Sequence, residues 1–369
     1  MAAIPGKIAV QQRVLPSYRI PFFDALAAEC GQGLSVFAGE PRRSEGLEYG
    51  ARPAAAKFYP GKNIHLLKGR AYLCWQTGIL DWLRDWQPDV LIMEANPRYL
   101  RSGAAIDWMK ARGGKVIGWG LGSPAPAGLF SKLRMHLRRR FVRRFDALVT
   151  YSQQGAAEYA ALGFDPDLIF CAPNAVAPKP SQPLPERPAS FRSGKPQVVF
   201  VGRLQARKRV DMLLRACSNL PVELQPGLVI VGDGPERSRL EALAKEIYAH
   251  ARFTGPQHGP DLERIYRGAD LFVLPGTGGL AVQQAMSFGL PVIVGESDGT
   301  QSDLVRAENG WTLAEPSVDE LKRLMQNALA DVARMRRMGA ASYRIVSREV
   351  NLEAMVGAFT RAIRRVAEE

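Results

Sequence analysis

Short apolar runs alternate with amphipathic runs along this chain, and the alternation occurs twice. The first half contains apolar runs such as 88–94 and 115–120, and the second contains runs such as 196–202 and 269–276. Continuous apolar strands that alternate with helices indicate parallel sheets covered on both faces. The sequence therefore predicts an α/β fold of two Rossmann-like, doubly wound parallel-sheet domains. Ligands are expected beyond the carboxyl ends of the strands, in a crevice between the domains.

A proline-rich segment separates the two halves. Residues 178–188 read PKPSQPLPERP, and their five prolines exclude a helix or a central strand. The sequence predicts an N-terminal domain over 1–178, a linker over 179–190 and a C-terminal domain over 191–349. The last segment, 350–369, has the pattern of a helix.

The net charge of +13 is concentrated in the first half. Residues 1–178 hold 23 Lys and Arg against 14 Asp and Glu, whereas residues 179–369 hold 26 against 22. This excess indicates an anionic surface near the first half. The four cysteines are scattered, so neither a zinc site nor a disulfide framework is predicted. No signal-peptide pattern and no run of roughly 18 apolar residues is visible, so a cytoplasmic protein is expected.

Two turns in the second half, one basic and one glycine-rich, suit a diphosphate. Residues 202–209, GRLQARKR, place Arg203 and Lys208 at a predicted helix start, where the cations and the helix terminus both favour an anion. A solvated basic loop is the alternative interpretation. In the second turn, Gly276, Gly278 and Gly279 would let backbone N–H groups line an anion nest ahead of a helix.

Taken in order, the motifs of residues 197–315 resemble the donor-binding half of glycosyltransferase family 4. They are the G-R-L…K turn at 202–208, V-G-D-G-P at 231–235, a phenylalanine-x-glycine turn at 253–255, A-D-L-F-V-L-P at 269–275, A-M-x-x-G-L-P-V-I at 285–293 and N-G-W-x-L at 309–313. The resemblance implies the GT-B fold of that family, in which a C-terminal helix crosses back to the N-terminal domain.

The resemblance also implies a donor site. Its residues would be Arg203 and Lys208 on the diphosphate, Gly279, Leu280 and Ala281 on the distal phosphate through backbone amides, Gln284 on the ribose, and Phe253 and Thr254 beside the nucleobase. The family commonly carries glutamates at the positions of Gly276 and Gln284. The Gln284 amide keeps hydrogen-bonding capacity, whereas Gly276 cannot hold a hydroxyl of the donor sugar. Either another group does so, or the sugar is unusual, or turnover is lost.

The first half carries weaker signals for an acceptor. The P-x-Y-R-x-P-F-F pattern at 16–23 resembles bacterial polysaccharide glycosyltransferases and implies that Ser17 or Arg19 faces the crevice. Glu94 ends a strand and is the candidate carboxylate for the acceptor hydroxyl, with a salt bridge to a nearby arginine as the alternative. Gly120 and Gly122 belong to the next turn, where related sequences often carry a histidine and this chain has leucine.

A basic segment with helical periodicity lies at 131–144. It holds seven Lys and Arg and no acid, and its apolar stripe is Phe130, Leu133, Leu137, Phe141 and Phe145. One interpretation turns Arg138, Arg139 and Arg140 toward an anionic membrane. The other packs the stripe on the sheet and leaves the arginines as a solvated face, and the two are compatible. Nucleic acid is disfavoured because no basic and aromatic stacking module is present.

The resemblance implies a retaining, metal-independent hexosyltransferase that uses a UDP or GDP sugar and no cofactor. Its catalytic residues would be Glu94, Arg203 and Lys208, and its acceptor a glycan, a lipid-linked sugar or a small molecule of bacterial envelope biosynthesis. Two alternatives remain. The first is a catalytically degenerate subunit that binds a nucleotide or a partner transferase, and the second is a GT-B-shaped sugar-nucleotide epimerase. No G-x-G-x-x-G follows the first strand, which disfavours an NAD dehydrogenase. A monomer or weak homodimer at the cytoplasmic face of the inner membrane is expected.

Overall fold

The computed structural model describes residues 3–42, 45, 49–67, 69–124, 128, 130–192, 194–295 and 301–368. The chain divides into two compact units, one formed by Met1–Val176 with Leu352–Glu369 and the other by Ala177–Asn351.

The first unit has its strands and helices in alternation. Its strands are β1 (Ile8–Val14), β2 (Leu34–Gly39), β3 (Lys57–Pro60), β4 (Lys62–Leu66), β5 (Leu73–Thr77), β6 (Val90–Glu94), β7 (Lys115–Gly120), β8 (Ala147–Thr150) and β9 (Ile169–Cys171). Its helices before the second unit are α1 (Ile20–Glu29), α2 (Ile79–Trp86), α3 (Ser102–Lys110), α4 (Ser131–Val142) and α5 (Gln153–Ala161).

The main sheet of the first unit is parallel throughout its described strands. The strand order is β3-β2-β1-β6-β7-β8-β9, so the winding reverses between β1 and β6. Ligands of doubly wound sheets bind at the carboxyl ends of the strands beside such a reversal. The antiparallel pair β4–β5 stands apart from this sheet, and the sequence pattern did not predict it.

The second unit repeats the architecture with six described strands. They are β10 (Gln197–Val201), β11 (Gly227–Val231), β12 (Ala251–Gly255), β13 (Leu271–Leu274), β14 (Val292–Gly295) and β15 (Gly310–Leu313). Its helices are α6 (Val210–Ser218), α7 (Arg237–Ile247), α8 (Gly259–Gly268), α9 (Leu280–Ser287), α10 (Gln301–Leu304), α11 (Val318–Leu329) and α12 (Val332–Arg348). The parallel order is β12-β11-β10-β13-β14-β15, which puts the reversal between β10 and β13.

Buried apolar runs explain both sheets. Val198–Phe200 in β10 and Leu271–Leu274 in β13 are almost fully buried, as expected where helices cover both faces of a parallel sheet. The predicted α/β, two-sheet fold class is therefore confirmed.

The last helix, α13 (Leu352–Ala367), packs in the core of the first unit. The ring of Phe359 lies 4.9 Å from that of Phe22 in α1 and 4.8 Å from that of Trp119 in β7, centroid to centroid. The first unit is therefore built from both ends of the chain.

Candidate functional site

Where the winding of the second sheet reverses, between β10 and β13, the Gly276–Gly279 loop is hydrogen-bonded to the turn that carries Lys208. The Thr277 N–H donates to the Arg207 carbonyl at 3.1 Å, and the Arg207 Nη1 donates to the Thr277 hydroxyl at 2.8 Å. The Lys208 ammonium donates to the Thr277 carbonyl. The two segments that the sequence singled out for a diphosphate therefore form one structure, at the carboxyl ends of β10 and β13.

Glycine is required at position 276 by the packing of this loop. A Cβ atom there would collide with the carbonyl oxygen of Arg207 and the backbone of Lys208. The glutamate that the family commonly carries at this position has no room in this loop conformation. Arg207, which was not predicted to belong to the site, reaches the loop instead, and its position beside Lys208 in the basic turn was the available signal.

The V-G-D-G-P turn supports the segment that carries Arg203. A Cβ atom at Gly232, whose φ is +129°, would collide with the Gly202 carbonyl. The Leu204 N–H donates to the Asp233 carbonyl at 2.8 Å. The motif is thus a close approach between two backbones, which only glycine allows, and it holds the exposed Arg203 at the end of β10.

Helix α9 begins directly after the Gly276–Gly279 loop. The N–H groups of Leu280 and Ala281 lie in its first turn, where no intrahelical acceptor exists and the helix dipole is positive. Gln284 follows Leu280 by four residues, so it lies on the same helix face, half-buried. These three residues belong to the same edge of the sheet as Arg203.

Phe253 and Thr254 lie two strands away from β10, on the edge strand β12. The Phe253 ring is half-buried against the core of the second unit. The Thr254 hydroxyl donates to the Gly255 carbonyl at 3.0 Å. Both residues precede a turn at the carboxyl end of β12, which is the same edge that carries the glycine loop.

The first unit has a cavity of about 430 Å³ at the carboxyl ends of β6 and β7. Its lining is Glu94, Ala95, Asn96, Pro97, Arg98, Tyr99, Trp119, Gly120, Leu121, Gly122, Ser123, Pro124, Arg138 and Tyr151. Three predicted acceptor-side residues, Glu94, Gly120 and Gly122, are therefore brought together around one space.

Glu94 is held by the backbone of β1. The Arg13 N–H donates to its Oε1 at 3.0 Å, and its own N–H donates to the Gln11 side chain at 3.1 Å. Burial raises the pKa of the Glu94 carboxyl above its usual range. Among the described residues, Glu94 forms no ion pair, so the alternative of a salt bridge to Arg98 or Arg101 is wrong. The Arg101 guanidinium lies over the ring of Trp75 instead.

Arg19, one of the two residues expected to face the crevice, does not line this cavity. Its side chain is buried, donates to Asn174 Oδ1, and lies against the ring of Tyr151 at 5.3 Å. Its Nη1 also contacts Met355 Sδ at 3.4 Å. The guanidinium thus ties α13 to the sheet, whereas Ser17 in the same segment is half-buried.

The predicted apolar stripe along α4 is divided between the surface and the core. Phe130, Leu133 and Leu137 are 64%, 56% and 55% exposed, whereas Phe145 is buried. Among the described residues, none of the helices combines the length and apolar character needed to cross a bilayer.

The arginines of α4 are also divided. Arg139 and Arg140 are exposed, as predicted for a solvated or membrane-facing side. Arg138 is half-buried, lines the cavity and donates to the Pro124 carbonyl, so it lies on a different side of the helix from the exposed pair. Its spacing of four and seven residues from the buried Val142 and Phe145 was the signal for the inner face.

A protein-family model matches each of the two units of this chain. The family described as Glycosyl transferases group 1 matches residues 185–345, and the Glycosyl transferase 4-like domain matches residues 25–175. The chain is 35% identical over 154 residues, 41% of its length, to a GDP-mannose-dependent alpha-mannosyltransferase of Mycobacterium tuberculosis. It is 28% identical over 219 residues, 56% of its length, to a GDP-mannose-dependent alpha-(1-6)-phosphatidylinositol monomannoside mannosyltransferase of Mycolicibacterium smegmatis.

Those matches cover 38% and 54% of the two relatives, so the chain spans about half of their length or less. A solved sucrose-phosphate synthase from Thermosynechococcus elongatus shares the fold over 99% of this chain and 100% of its own, with a TM-score of 0.69 and 19% identity.

Proposed function

Because the chain belongs to the group 1 glycosyl transferases of glycosyltransferase family 4, we propose that it moves a sugar from a nucleoside diphosphate sugar to a glycan or lipid-linked acceptor. This proposal rests on the hydrogen bonds that join the Gly276–Gly279 loop to the Arg203–Lys208 turn. It gathers cations, a glycine loop and a helix start at one sheet edge, which is what a diphosphate needs.

In the proposed transfer, the bond between the sugar carbon and the diphosphate oxygen breaks, and the acceptor oxygen bonds to that carbon and loses its proton. Negative charge develops on the departing diphosphate. Arg203, Lys208 and the first-turn amides of α9 would stabilise that charge, which is the main task of such a site. The proposed transfer retains the configuration at the sugar carbon, as the resemblance to the family implies.

The test is a screen of UDP, GDP and their sugars for thermal stabilisation, followed by turnover with acceptors. A true donor at 100 times its Kd should stabilise the protein by about 2.7 kcal/mol. Stabilisation by none of these nucleotides would contradict the proposal. Stabilisation without sugar transfer to any glycan or lipid-linked acceptor would favour the degenerate, nucleotide-binding subunit.

We further propose that Glu94 accepts the proton of the acceptor hydroxyl. Glu94→Gln should lower kcat about 100-fold, the usual scale of general-base catalysis, and change KM little. Because the pKa of Glu94 is raised, the wild-type rate should fall as the pH drops through a value above about 4.3, the usual glutamate pKa. The variant should lose this acidic limb of the profile.

Asp81→Asn is the matched control, because its side chain is 79% exposed and lies on α2, away from the cavity lining. This variant should keep the wild-type profile. An unchanged acidic limb in Glu94→Gln would remove the residue from the proton-transfer step.

A lipid-linked acceptor is favoured by the surface of the first unit. One relative acts, by its name, on a phosphatidylinositol monomannoside, which is a glycolipid. Helix α4 exposes Phe130, Leu133 and Leu137 together with Arg139 and Arg140. Exposed apolar side chains flanked by cations suit the interface of an anionic bilayer. We therefore propose that the protein acts at the cytoplasmic face of an inner membrane.

Binding to phosphatidylglycerol vesicles should depend on these cations. Each exposed arginine near an anionic surface contributes about 1 kcal/mol, so Arg139→Gln with Arg140→Gln should weaken vesicle binding by ~2 kcal/mol, about 30-fold. Wild-type binding should also fall at about 0.5 M salt. The control is Arg337→Gln with Arg344→Gln on the exposed face of α12, which should bind as wild type. Equal binding of the wild type to neutral and anionic vesicles would argue for a water-soluble acceptor.

A further inference from the structure

The β4–β5 hairpin of the first unit turns polar side chains inward and apolar side chains outward. Directly opposed residues of an antiparallel pair share one face. The inner pairs are Asn63–Gln76 and His65–Cys74, and the outer pairs are Ile64–Trp75 and Leu66–Leu73. A sheet with one face in water normally shows the reverse pattern.

Hydrogen bonds fix the inner face to the main sheet. The Asn63 side-chain amide donates to the Arg13 carbonyl at 2.7 Å, and that of Gln76 donates to the Gln12 carbonyl at 2.9 Å. Gln76 and Cys74 are buried. The orientation of the hairpin is therefore set by polar bonds to the end of β1, and the outward direction of its apolar face follows from them.

The outer face and the segments next to it carry five apolar residues, here named the hairpin patch: Ile64, Leu66, Leu67, Trp75 and Leu100. Ile64 and Leu66 are 41% and 40% exposed, Leu67 is 64% exposed and Leu100 is 41% exposed. The Leu100 N–H donates to the Cys74 carbonyl, which attaches it to the edge of β5. Several exposed apolar side chains on one structural element indicate an interaction site.

The charge around the hairpin patch selects an anionic occupant. The hairpin span, residues 62–77, contains three Lys and Arg and no Asp or Glu. Lys62 is exposed and shares the outer face of β4, and the Arg101 guanidinium lies 4.5 Å from the centroid of the Trp75 ring. A second copy of this chain, with a net charge of +13, would bring like charge to the same surface.

The hairpin patch adjoins the cavity that holds Glu94. The Cys74 N–H donates to the Arg98 carbonyl at 3.0 Å, and Arg98 and Tyr99 line the cavity. Arg138 of α4 lines the same cavity. The cavity is therefore bordered by the segment that carries the hairpin patch and by the helix with exposed apolar and cationic residues.

We propose that the hairpin patch docks on an anionic lipid bilayer, with its apolar side chains at the boundary of head groups and acyl chains and with Lys62 and Arg101 at lipid phosphates. The proposal rests on the proposed lipid-linked acceptor, since docking through both the hairpin patch and α4 would turn the cavity toward the bilayer. Binding itself does not require sugar transfer, so it is tested separately.

The test is co-sedimentation of the full chain with phosphatidylglycerol vesicles. Ile64→Ser with Leu66→Ser should bind about tenfold more weakly, which corresponds to withdrawing about two methylene groups from apolar surroundings. Val222→Ser is the matched control, because Val222 is 75% exposed in the second unit and should leave binding unchanged.

Quenching by brominated acyl chains gives a second measurement that a structural role alone would not change. Bromine in the bilayer should quench wild-type tryptophan emission, and Trp75→Phe should lose that quenching. Trp108→Phe should keep it, because Trp108 lies on α3 under Arg112 and is comparably half-buried.

Equal vesicle binding by the double variant, or equal quenching in Trp75→Phe and wild type, would overturn the proposal. A double variant that binds vesicles normally but changes the association state of the protein would overturn it too, by assigning the hairpin patch to self-association. UDP and GDP binding should be the same in all these variants. Failure of the wild type to bind either nucleotide would count against the proposed function instead.

Discussion

Phe359→Ala is expected to lower the free energy of unfolding of the first unit by about 3–5 kcal/mol. Phe359 is fully buried, and its ring packs edge-on against those of Phe22 and Trp119. Removing it leaves a cavity between α13, α1 and β7 that rigid neighbours cannot fill, and it also removes two aromatic contacts. The change acts through the last helix of the chain, almost the whole length of the sequence away from Phe22.

Tryptophan emission during denaturant unfolding measures this effect, because five of the six tryptophans lie in the first unit. Phe130→Ala is the matched control, since Phe130 is exposed in the same unit and its loss should change stability by no more than about 0.5 kcal/mol.

A chain ending at Asn351 should lose the folded first unit altogether, because nine buried side chains of α13 leave with the helix. Wild-type unfolding by this truncated chain would show that α13 adds little to the core.

Arg203→Ala and Lys208→Ala are each expected to weaken nucleoside diphosphate binding by ~1.5–3 kcal/mol, which is about 10- to 150-fold. Each variant removes a cation from the proposed diphosphate site. Lys208→Ala also removes the ammonium that donates to the Thr277 carbonyl, so the Gly276–Gly279 loop loses an anchor. The larger loss is therefore expected for Lys208.

Calorimetric titration with UDP and GDP measures the two affinities. Lys245→Ala is the matched control, since Lys245 is an exposed cation on α7 of the same unit and should leave the affinity unchanged. Wild-type affinity in both the Arg203 and Lys208 variants would place the nucleotide elsewhere in the second unit. A uniform loss that includes the Lys245 variant would indicate general electrostatic attraction in place of a defined site.

The fold class and the order of the donor-side motifs could be predicted from the amino-acid sequence. Continuous runs such as Val198–Phe200 have one stable place, inside a sheet covered on both faces, so local pattern and tertiary structure agree there. The turn that carries Arg203 and Lys208 and the loop that ends at Gly279 each follow a strand directly. Parallel strands bring their carboxyl ends to one edge, so chain order alone predicts that these segments meet.

Tertiary structure decided what depends on contacts between segments distant in the chain. Gly276 is glycine because the backbone of Arg207 and Lys208 passes against it, and no local pattern carries that information. Arg19 is charged and follows a strand, yet Asn174 and the last helix bury it. The family resemblance implied that Ser17 or Arg19 faces the crevice, and the charge of a side chain alone does not say which partner will satisfy it.

The two surfaces assigned to the membrane differ in the same way. The sequence of α4 left open whether its apolar stripe packs on the sheet or meets a membrane, and the packing of Val142 and Phe145 turned Arg138 to the cavity. The β4–β5 hairpin alternates polar and apolar residues, and this alternation does not say which face turns inward. Burial of apolar side chains would have turned it the other way. The bonds of Asn63 and Gln76 to the carbonyls of Arg13 and Gln12 decided its orientation, because the carbonyl oxygens at the end of β1 need donors when they are covered.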